Sequence, residues 1–419
     1  MISLLRVLHA GRLVGQLAIQ SSGAIAFQYD REWLVQGFDL APGSIPFDGL
    51  ANKSVRPGEF DGLPGAFYDS LPDGWGLLLM DRGLKKQQGL DWTQITPLDR
   101  LAYMGHRCMG ALEYEPELLP EHNGKPIDLA DIAEQAERFL NGETFDVLEE
   151  LRIYGGSPGG ARPKVTVAFS PDMAICQSGF RDIPTGYSHW IVKFRNDSRH
   201  GEYDPADIGR IEMAYSDMAR MAGLIVPRTQ LIEIPVRGKR EVYFAAQRFD
   251  RDGNRKIHLL SLAGYAYANH RVPCMDYRDG VLPATRKLTK SDGEVEKAFR
   301  LMLFNVLTHN KDDHTKNFAY LHDPATGLWQ LAPAFDLTFS VGIANNHTTS
   351  VGGAGNPTYA HLKNVAERHR IRDWQRILDD VRSAVAQWPK LADTYGLSKQ
   401  RIGEIHKALK AIDLACTPR

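Results

Sequence analysis

The densest chemistry in the chain lies in one polar run, HNKDDHTKN, from His309 to Asn317. Asp312, Asp313, His314, Lys316 and Asn317 crowd together directly behind an apolar helical stretch marked by Val295, Phe299, Met302, Leu303 and Val306. About twenty residues further on, a predicted two-strand hairpin delivers Phe335-Asp336. A carboxylate that can orient or deprotonate a hydroxyl, an amide that can hold Mg²⁺ and a second carboxylate are the parts phosphoryl transfer needs, because that reaction is mostly positioning and charge neutralisation. Two other readings stay open on these residues alone. One is a metal site built from His309, Asp312 or Asp313, and His314; the other is a solvated loop at a helix end.

The elements upstream narrow the choice by their order. A glycine-rich turn (Gly155, Gly156, Gly159, Gly160) can aim backbone N–H groups at phosphate oxygens, although it matches neither GxxxxGK[ST] nor GxGxxG, and a plain structural turn is its simpler reading. Lys164 follows it at the start of an alternating strand, where solvent is the default for a single lysine. Lys193 interrupts the apolar strand Trp190-Ile191-Val192-Lys193-Phe194, either snorkelling at an edge or held for an anion. Glu212 lies on the next helix, whose apolar positions are Ile211, Ala214, Tyr215, Met218, Met221 and Ala222. Glycine turn, strand Lys, helix Glu, Asp-x4-Asn and hairpin Asp is the order of a protein-kinase core, and Asp312 and Asn317 keep the spacing of HRDxxxxN. The likeness is to the plan only: His309-Asn310-Lys311 precedes Asp312, and Leu337 follows Asp336 where typical kinases have glycine.

The rest of the chain must position these residues. Its 419 residues carry 50 Lys+Arg against 51 Asp+Glu, a balance that argues against a disordered chain or a polycation coating nucleic acid and gives no independent footprint for DNA binding. Cys108, Cys176, Cys274 and Cys416 are far apart, without a CxxC pair, so neither a disulfide framework nor a paired-cysteine zinc site is expected. No apolar run is long enough to span a bilayer, and Arg6 and Arg12 interrupt the N-terminal stretch where a signal peptide would be apolar; a cytoplasmic, globular protein is expected. Short strands are predicted up to about residue 35, a helix capped by Asp69 or Ser70, a helix near 132–140, strands at 189–194, 232–236 and 242–249, and helices beyond Asp373. The run Glu115 to Pro126 is the best linker candidate. Trp75, Trp190 and Trp329 read as packing residues, and Tyr265, Tyr267 and Tyr277 as candidates for a substrate-facing loop.

Taken together, FDGLPGAFYDSLPDGWG (Phe60 to Gly76), LDRLAYMGHRCMGALEYEP (Leu98 to Pro116), GGARPKV, WIVKF, QRFDR, DDHTKNF and FDL resemble the HipA family, kinase toxins of bacterial type II toxin–antitoxin modules. The resemblance covers nearly the whole chain. It implies an α/β (α+β), protein-kinase-like two-lobed fold: residues 1–145 form a β-rich N-terminal module with helices, and 146–419 a catalytic domain with a helical C-terminal lobe. It implies a serine/threonine protein kinase using ATP and Mg²⁺, with Asp312 as the catalytic residue and Asn317 and Asp336 as the Mg²⁺ positions. The nucleotide's phosphates fall to Gly159, Gly160, Ala161, Arg162, Pro163 and Lys164, to Lys193, and to His314, Thr315, Lys316 and Asn317, with Phe335 and Asp336 beside them. Gln247, Arg248 and Phe249 match the hinge that reads adenine through backbone groups, and Glu212 matches the ion-pair partner of Lys193. Ser157 aligns with the serine that family members autophosphorylate, although Pro158 follows it here. A phosphate there adds about −1.5 to −2 charge to a loop meant to cradle ATP's own phosphates, and would draw that loop toward Arg152, Arg162 or Lys164. The implied partners are a helix-turn-helix, HipB-like antitoxin, operator DNA through that antitoxin, and a protein substrate in translation such as an aminoacyl-tRNA synthetase, with no membrane. The rival from another class is a catalytically silent, kinase-like corepressor subunit.

Overall fold

The computed structural model describes residues 1–91, 93–119, 127–141, 151, 160, 162–180, 182–195 and 206–418. Ser157, Gly159 and Ala161 lie outside the described residues, as do Arg152, Gly155, Gly156 and Pro158. The chain divides into two compact units, Met1–Ala206 with Gln230–Leu260, and Asp207–Thr229 with Ser261–Arg419.

The first unit contains two five-stranded sheets. Alternation of buried and exposed residues builds β1 (Leu4–His9), β2 (Arg12–Ile19), β3 (Ile25–Tyr29), β4 (Asn52–Lys53) and β5 (Leu112–Glu115), ordered β4-β3-β2-β1-β5. Between them runs α1 (Gly74–Gln88). It begins later than the sequence suggests: Gly65–Tyr68 forms its own short helix ending at Asp69, and the long helix starts behind Asp73. The Asp73 carboxylate does not cap that helix; it accepts the Gly160 amide at the edge of the glycine turn.

The second sheet comprises β6 (Lys164–Phe169), β7 (Cys176–Ser178), β8 (Ser188–Lys193), β9 (Thr229–Val236) and β10 (Lys239–Gln247), in the order β7-β6-β8-β10-β9. One face presents Val165, Val167, Phe169, Trp190, Val192, Tyr243 and Ala245 to α2 (Leu129–Leu140) and to Trp75 and Leu79 of α1. α2 forms because Leu129, Ile132, Ala133, Ala136 and Phe139 repeat at helical spacing and Asp128 caps its start by accepting the Ala130 amide at 2.8 Å. By the two-residue period, Lys164, Thr166, His189, Ile191, Lys193 and Phe244 share the opposite face.

Behind β10 the chain is pinned by a buried charge cluster. Asp250 accepts from Arg248 Nε (2.9 Å) and Nη2 (2.7 Å), from Arg251 Nη1 (2.9 Å) and from the Gly110 amide (2.7 Å). Both arginines also reach the Cys108 carbonyl, so the QRFDR motif staples the Cys108–Gly110 turn to the end of β10. Burial alone would raise the Asp250 pKa; the charges of Arg248 and Arg251 and the hydrogen bonds from Arg248 and Gly110 outweigh it and hold the carboxyl below its usual range.

In the second unit, α3 (Ile208–Met221) packs through Tyr215 on Phe304 and Trp388, with ring centroids 6.4 and 5.6 Å apart. The helix carrying Glu212 belongs to this second unit. α4 (Asp292–Leu307) is capped by Ser291 and is the helix read from the apolar spacing. The hairpin β11 (Ala319–Asp323) and β12 (Leu328–Leu331) follows, then α5 (Tyr359–His369), α6 (Trp374–Val385), α7 (Trp388–Thr394) and α8 (Lys399–Ala415). Among the described residues no helix is long and apolar enough to cross a membrane. Replacing Asp250 by Asn leaves two buried guanidinium groups short of a counter-charge and is expected to cost about 3–5 kcal/mol, read as a lowered denaturation midpoint.

Candidate active site

The polar run begins where α4 is forced to stop. His309 takes the left-handed conformation usually given to glycine past a helix end (φ 56°), and its ring stacks on Phe339 at 4.8 Å. Two carbonyls of the last turn find partners: Thr308 O accepts Tyr215 Oη at 2.6 Å and Asn305 O accepts the Asn310 amide at 2.9 Å. From there side chains alternate. Lys311 (3% exposed) and Asp313 (0%) point into the protein, while Asp312 between them is exposed.

Asp313 is an anchor. Its Oδ2 accepts Tyr277 Oη at 2.9 Å and lies 2.9 Å from His347 Nδ1, and its Oδ1 accepts the Thr349 amide at 3.1 Å. Tyr277 in turn accepts from Asn305 Nδ2 (3.0 Å), and Asn310 Nδ2 donates to Asn305 Oδ1 (2.9 Å). Burial, with the Asp313 charge beside it, pushes the Tyr277 pKa well up. Tyr277 is thus wholly internal, and Tyr265 and Tyr267 are buried as well, which corrects their reading as a substrate-facing loop; a tyrosine whose hydroxyl serves a buried carboxylate has nothing left for a ligand.

Asn317 closes the loop on itself, its Nδ2 donating to the Asp312 carbonyl at 2.8 Å while its own amide donates to His314 O at 2.9 Å. That latch fixes the backbone on which Asp312 stands and leaves the amide oxygen of Asn317 for a cation. Thr315 is buried and donates to Ala268 O at 3.2 Å, with His314 and Lys316 half-buried on either side. Asp336, half-buried beside Phe335, adopts φ 56°, a conformation an Asp tolerates better than most residues. Asn317 and Asp336 are both hard oxygen donors, the set Mg²⁺ takes when substrate phosphates complete its shell. The transition-metal alternative is not assembled: His309 Nδ1 lies 2.9 Å from Ser340 O, both Asp313 oxygens are occupied, and among the described residues no three His, Cys, Asp or Glu side chains converge.

The first unit holds the other candidates except Glu212. Lys164 and Lys193 are directly opposite in the β6–β8 register, and Phe244 of β10 opposes Lys193 on its other side, with the ammonium 5.6 Å from the ring centroid. Two lysines at a cross-strand pair repel unless anionic groups lie near. Gly160 (φ +105°) passes so close to Lys164 that a β-carbon there would sit 2.5 Å from its Nζ. Arg162 and Pro163 lead into β6, and Pro163 O accepts the Phe194 amide at 2.8 Å. At the end of β10, the Arg248 side chain is committed to Asp250 through Nε and Nη2, and its amide donates to His189 O at 2.8 Å. Gln247 ends β10 opposite Trp190, with Phe249 just beyond. Glu212 is buried on α3 in the second unit (2% exposed). The sequence did not point to His347 or Thr349, which meet Asp313 from more than thirty residues away, or to Thr166 and His189 beside the lysines.

Residues 156–388 match the HipA-like C-terminal domain and residues 5–115 the HipA N-terminal domain. The chain belongs to the HipA family. The serine/threonine-protein kinase toxin HipA of Shewanella oneidensis is 23% identical over 359 residues, 79% of this chain and 74% of that protein. Two Sinorhizobium fredii proteins named as kinases are also similar. Y4mE is 24% identical over 81% of this chain and 78% of its own, whereas Y4dM is 26% identical over only 38% of this chain and 40% of its own length. In structure, the HipA of the Shewanella oneidensis HipA, HipB and operator DNA complex superposes with a TM-score of 0.70 at 18% identity, covering 98% of this chain and 96% of that one. The fold is accordingly the mixed α/β, kinase-like fold of HipA.

His189, on the lysine face, gives a pH prediction. Burial first, then the charges of Arg248 and Arg251, lower its pKa to about 4, so the unfolded chain takes up this proton first as pH falls. Folding stability should therefore decline from about pH 6.5 down to about pH 4, by up to about 1.4 kcal/mol per unit. His189→Gln should flatten that part of the curve in urea titrations at successive pH values.

Proposed function

We propose that this HipA-family chain is an ATP- and Mg²⁺-dependent serine/threonine protein kinase acting as the toxin of a type II toxin–antitoxin module. The observation that carries the reading is the Asp312–Asn317 latch: an exposed carboxylate on a rigid loop, with an amide oxygen beside it and the Asp336 turn following the hairpin. Mg·ATP, when bound, supplies the transferable phosphoryl group. Asp312 orients the acceptor hydroxyl and takes its proton, Asn317 and Asp336 hold the metal, and Lys164 and Lys193 neutralise phosphate oxygens. Gly159, Gly160, Ala161, Arg162 and Pro163 form the phosphate turn, Gln247, Arg248 and Phe249 the adenine hinge, and Glu212 the partner of Lys193. Domain organisation follows the family, with an N-terminal module to about residue 145 and the kinase-like domain after it.

The substrate of this reading is a translation component, an aminoacyl-tRNA synthetase, whose phosphorylation arrests growth in the cytoplasm. Ser157 is the self-inactivating site. The partner is a HipB-like helix-turn-helix antitoxin, through which the toxin joins operator DNA; the Shewanella complex is the support for that assembly.

Intact-mass and peptide mass spectrometry with Mg·ATP tests the kinase directly. Wild type should gain phosphate and Asp312→Asn should not, with Ser157 as the mapped residue. Lys193→Met should weaken ATP binding by about tenfold or more in calorimetry. ATP binding without transfer to any protein would favour the silent corepressor, and no ATP binding would overturn both the cofactor and the enzyme.

A further inference from the structure

In kinases carrying HRD, the arginine before the catalytic aspartate belongs to a mechanism in which phosphorylation of the following segment orders it through new Arg–phosphate pairs. Here Lys311 precedes Asp312, and its ammonium meets neutral acceptors: Asn345 O at 2.7 Å, Asn345 Oδ1 at 2.9 Å and Asn356 Oδ1 at 2.7 Å. Three donors meet three acceptors, which is the full capacity of a lysine. The Lys311 carbonyl accepts the Thr348 amide (3.0 Å) and hydroxyl (3.1 Å), and two residues on Asp313 holds His347 and the Thr349 amide. The approach is close: at Gly342 (φ +63°) an added β-carbon would lie 2.7 Å from Lys311 Cβ and 2.2 Å from Asn346 O. Thr348 and Thr349 are buried, their hydroxyls donating to the Lys311 and Asp313 carbonyls, so they are parts of the clasp and not phosphate acceptors.

We propose that Lys311 and Asp313 form a positioning clamp that holds residues 340–349 permanently against the catalytic loop, so that the site is assembled without phosphorylation of that segment. The catalytic consequence rests on the kinase reading above; the clamp itself does not. Lys311 spends its side chain and its carbonyl on the segment, Asp313 does the same from the other side, and Asp312 is left between them facing outward. Lys311 itself has no donor left for the charge that a phosphate would bring.

The test is hydrogen exchange of the full chain without nucleotide, on wild type, Lys311→Met and Asn356→Ala, alongside Mg·ATP affinity and the rate of phosphate incorporation. Exchange across 340–349 should rise about tenfold or more in Lys311→Met and less in Asn356→Ala, with the β6–β10 sheet unchanged. The transfer rate should fall by about thirtyfold while Mg·ATP affinity stays within about threefold. Phosphatase treatment of wild type should leave the protection of 340–349 unchanged, whatever it does to the rate through Ser157. Wild-type protection of 340–349 in both variants, or protection lost on phosphatase treatment, overturns the clamp. If Lys311→Met does not fold, the exposed Asn356 decides. A wild type that transfers no phosphate sinks the kinase reading alone, because the exchange comparison needs no turnover.

Discussion

A carboxylate with no solvent exposure is tolerable only where its oxygens are matched, and leaving one partner out costs several kcal/mol. Asp313 imposes that condition on the second unit. Satisfying it brings Tyr277, His347 and Thr349 to one point, and so draws together the 275–281 segment, the end of α4 and the chain beyond Asp336. The short parallel pairing of Met275-Asp276 with Thr349-Ser350 lies beside it, and Asp276 secures the far end by accepting Ser350 Oγ at 2.6 Å and the Gly353 amide at 2.8 Å. Asp312 faces outward because its neighbours on both sides are fixed inward. Its placement is a consequence of Asp313, not of its own contacts alone.

The first unit solves an equivalent problem at the end of β10. Arg248 and Asp250 are the most distinctive letters of QRFDR, yet their side chains are spent on each other, on Arg251 and on the Cys108–Gly110 turn. In both units, then, a motif mixes residues of two kinds. One member holds the backbone rigid from inside, and its sequence neighbour offers a group outward. Rigid support of this kind is what a site depending on placement requires, since misplacement of reacting groups by about 1 Å is costly.

The parts legible in the sequence were those written locally. The periodic apolar positions of α4, the alternation in β6 and β8, the core tryptophans and the dense run from His309 to Asn317 could all be read within a few turns of chain. The misreadings have a common cause in distance. Asp313 finds its partners 34 to 36 residues away, and nothing near Tyr277 in the sequence signals that its hydroxyl is already committed. Lys164 and Lys193 were each weak candidates singly; only strand register makes them a pair. Asp69 looked like a cap because Pro72 follows it, whereas Asp73 starts the long helix and spends its carboxylate on Gly160. α5 escaped because Lys, Asn, Glu, Arg and His dominate it, and its buried stripe of Leu362, Val365, Ala366 and His369 is thin.

The departure at Leu337 has a physical meaning in this setting. A glycine after Asp336 would give the turn freedom to adopt more than one conformation. Here Leu337 is buried and Asp336 itself takes the left-handed backbone, so the packing of Leu337 holds a turn that the Asp336 backbone would otherwise leave readily. Rearranging it would expose a leucine, which costs on the order of 1.5–3 kcal/mol, before any of the Lys311 and Asp313 bonds are broken. With Leu337 holding one end and the Asp276 contacts the other, the intervening segment has little access to an alternative fold. A protein built this way holds the loop from Lys311 to Asp313 in one arrangement. Any element that switches it must act where the chain is less committed than it is between Asp336 and Gly353.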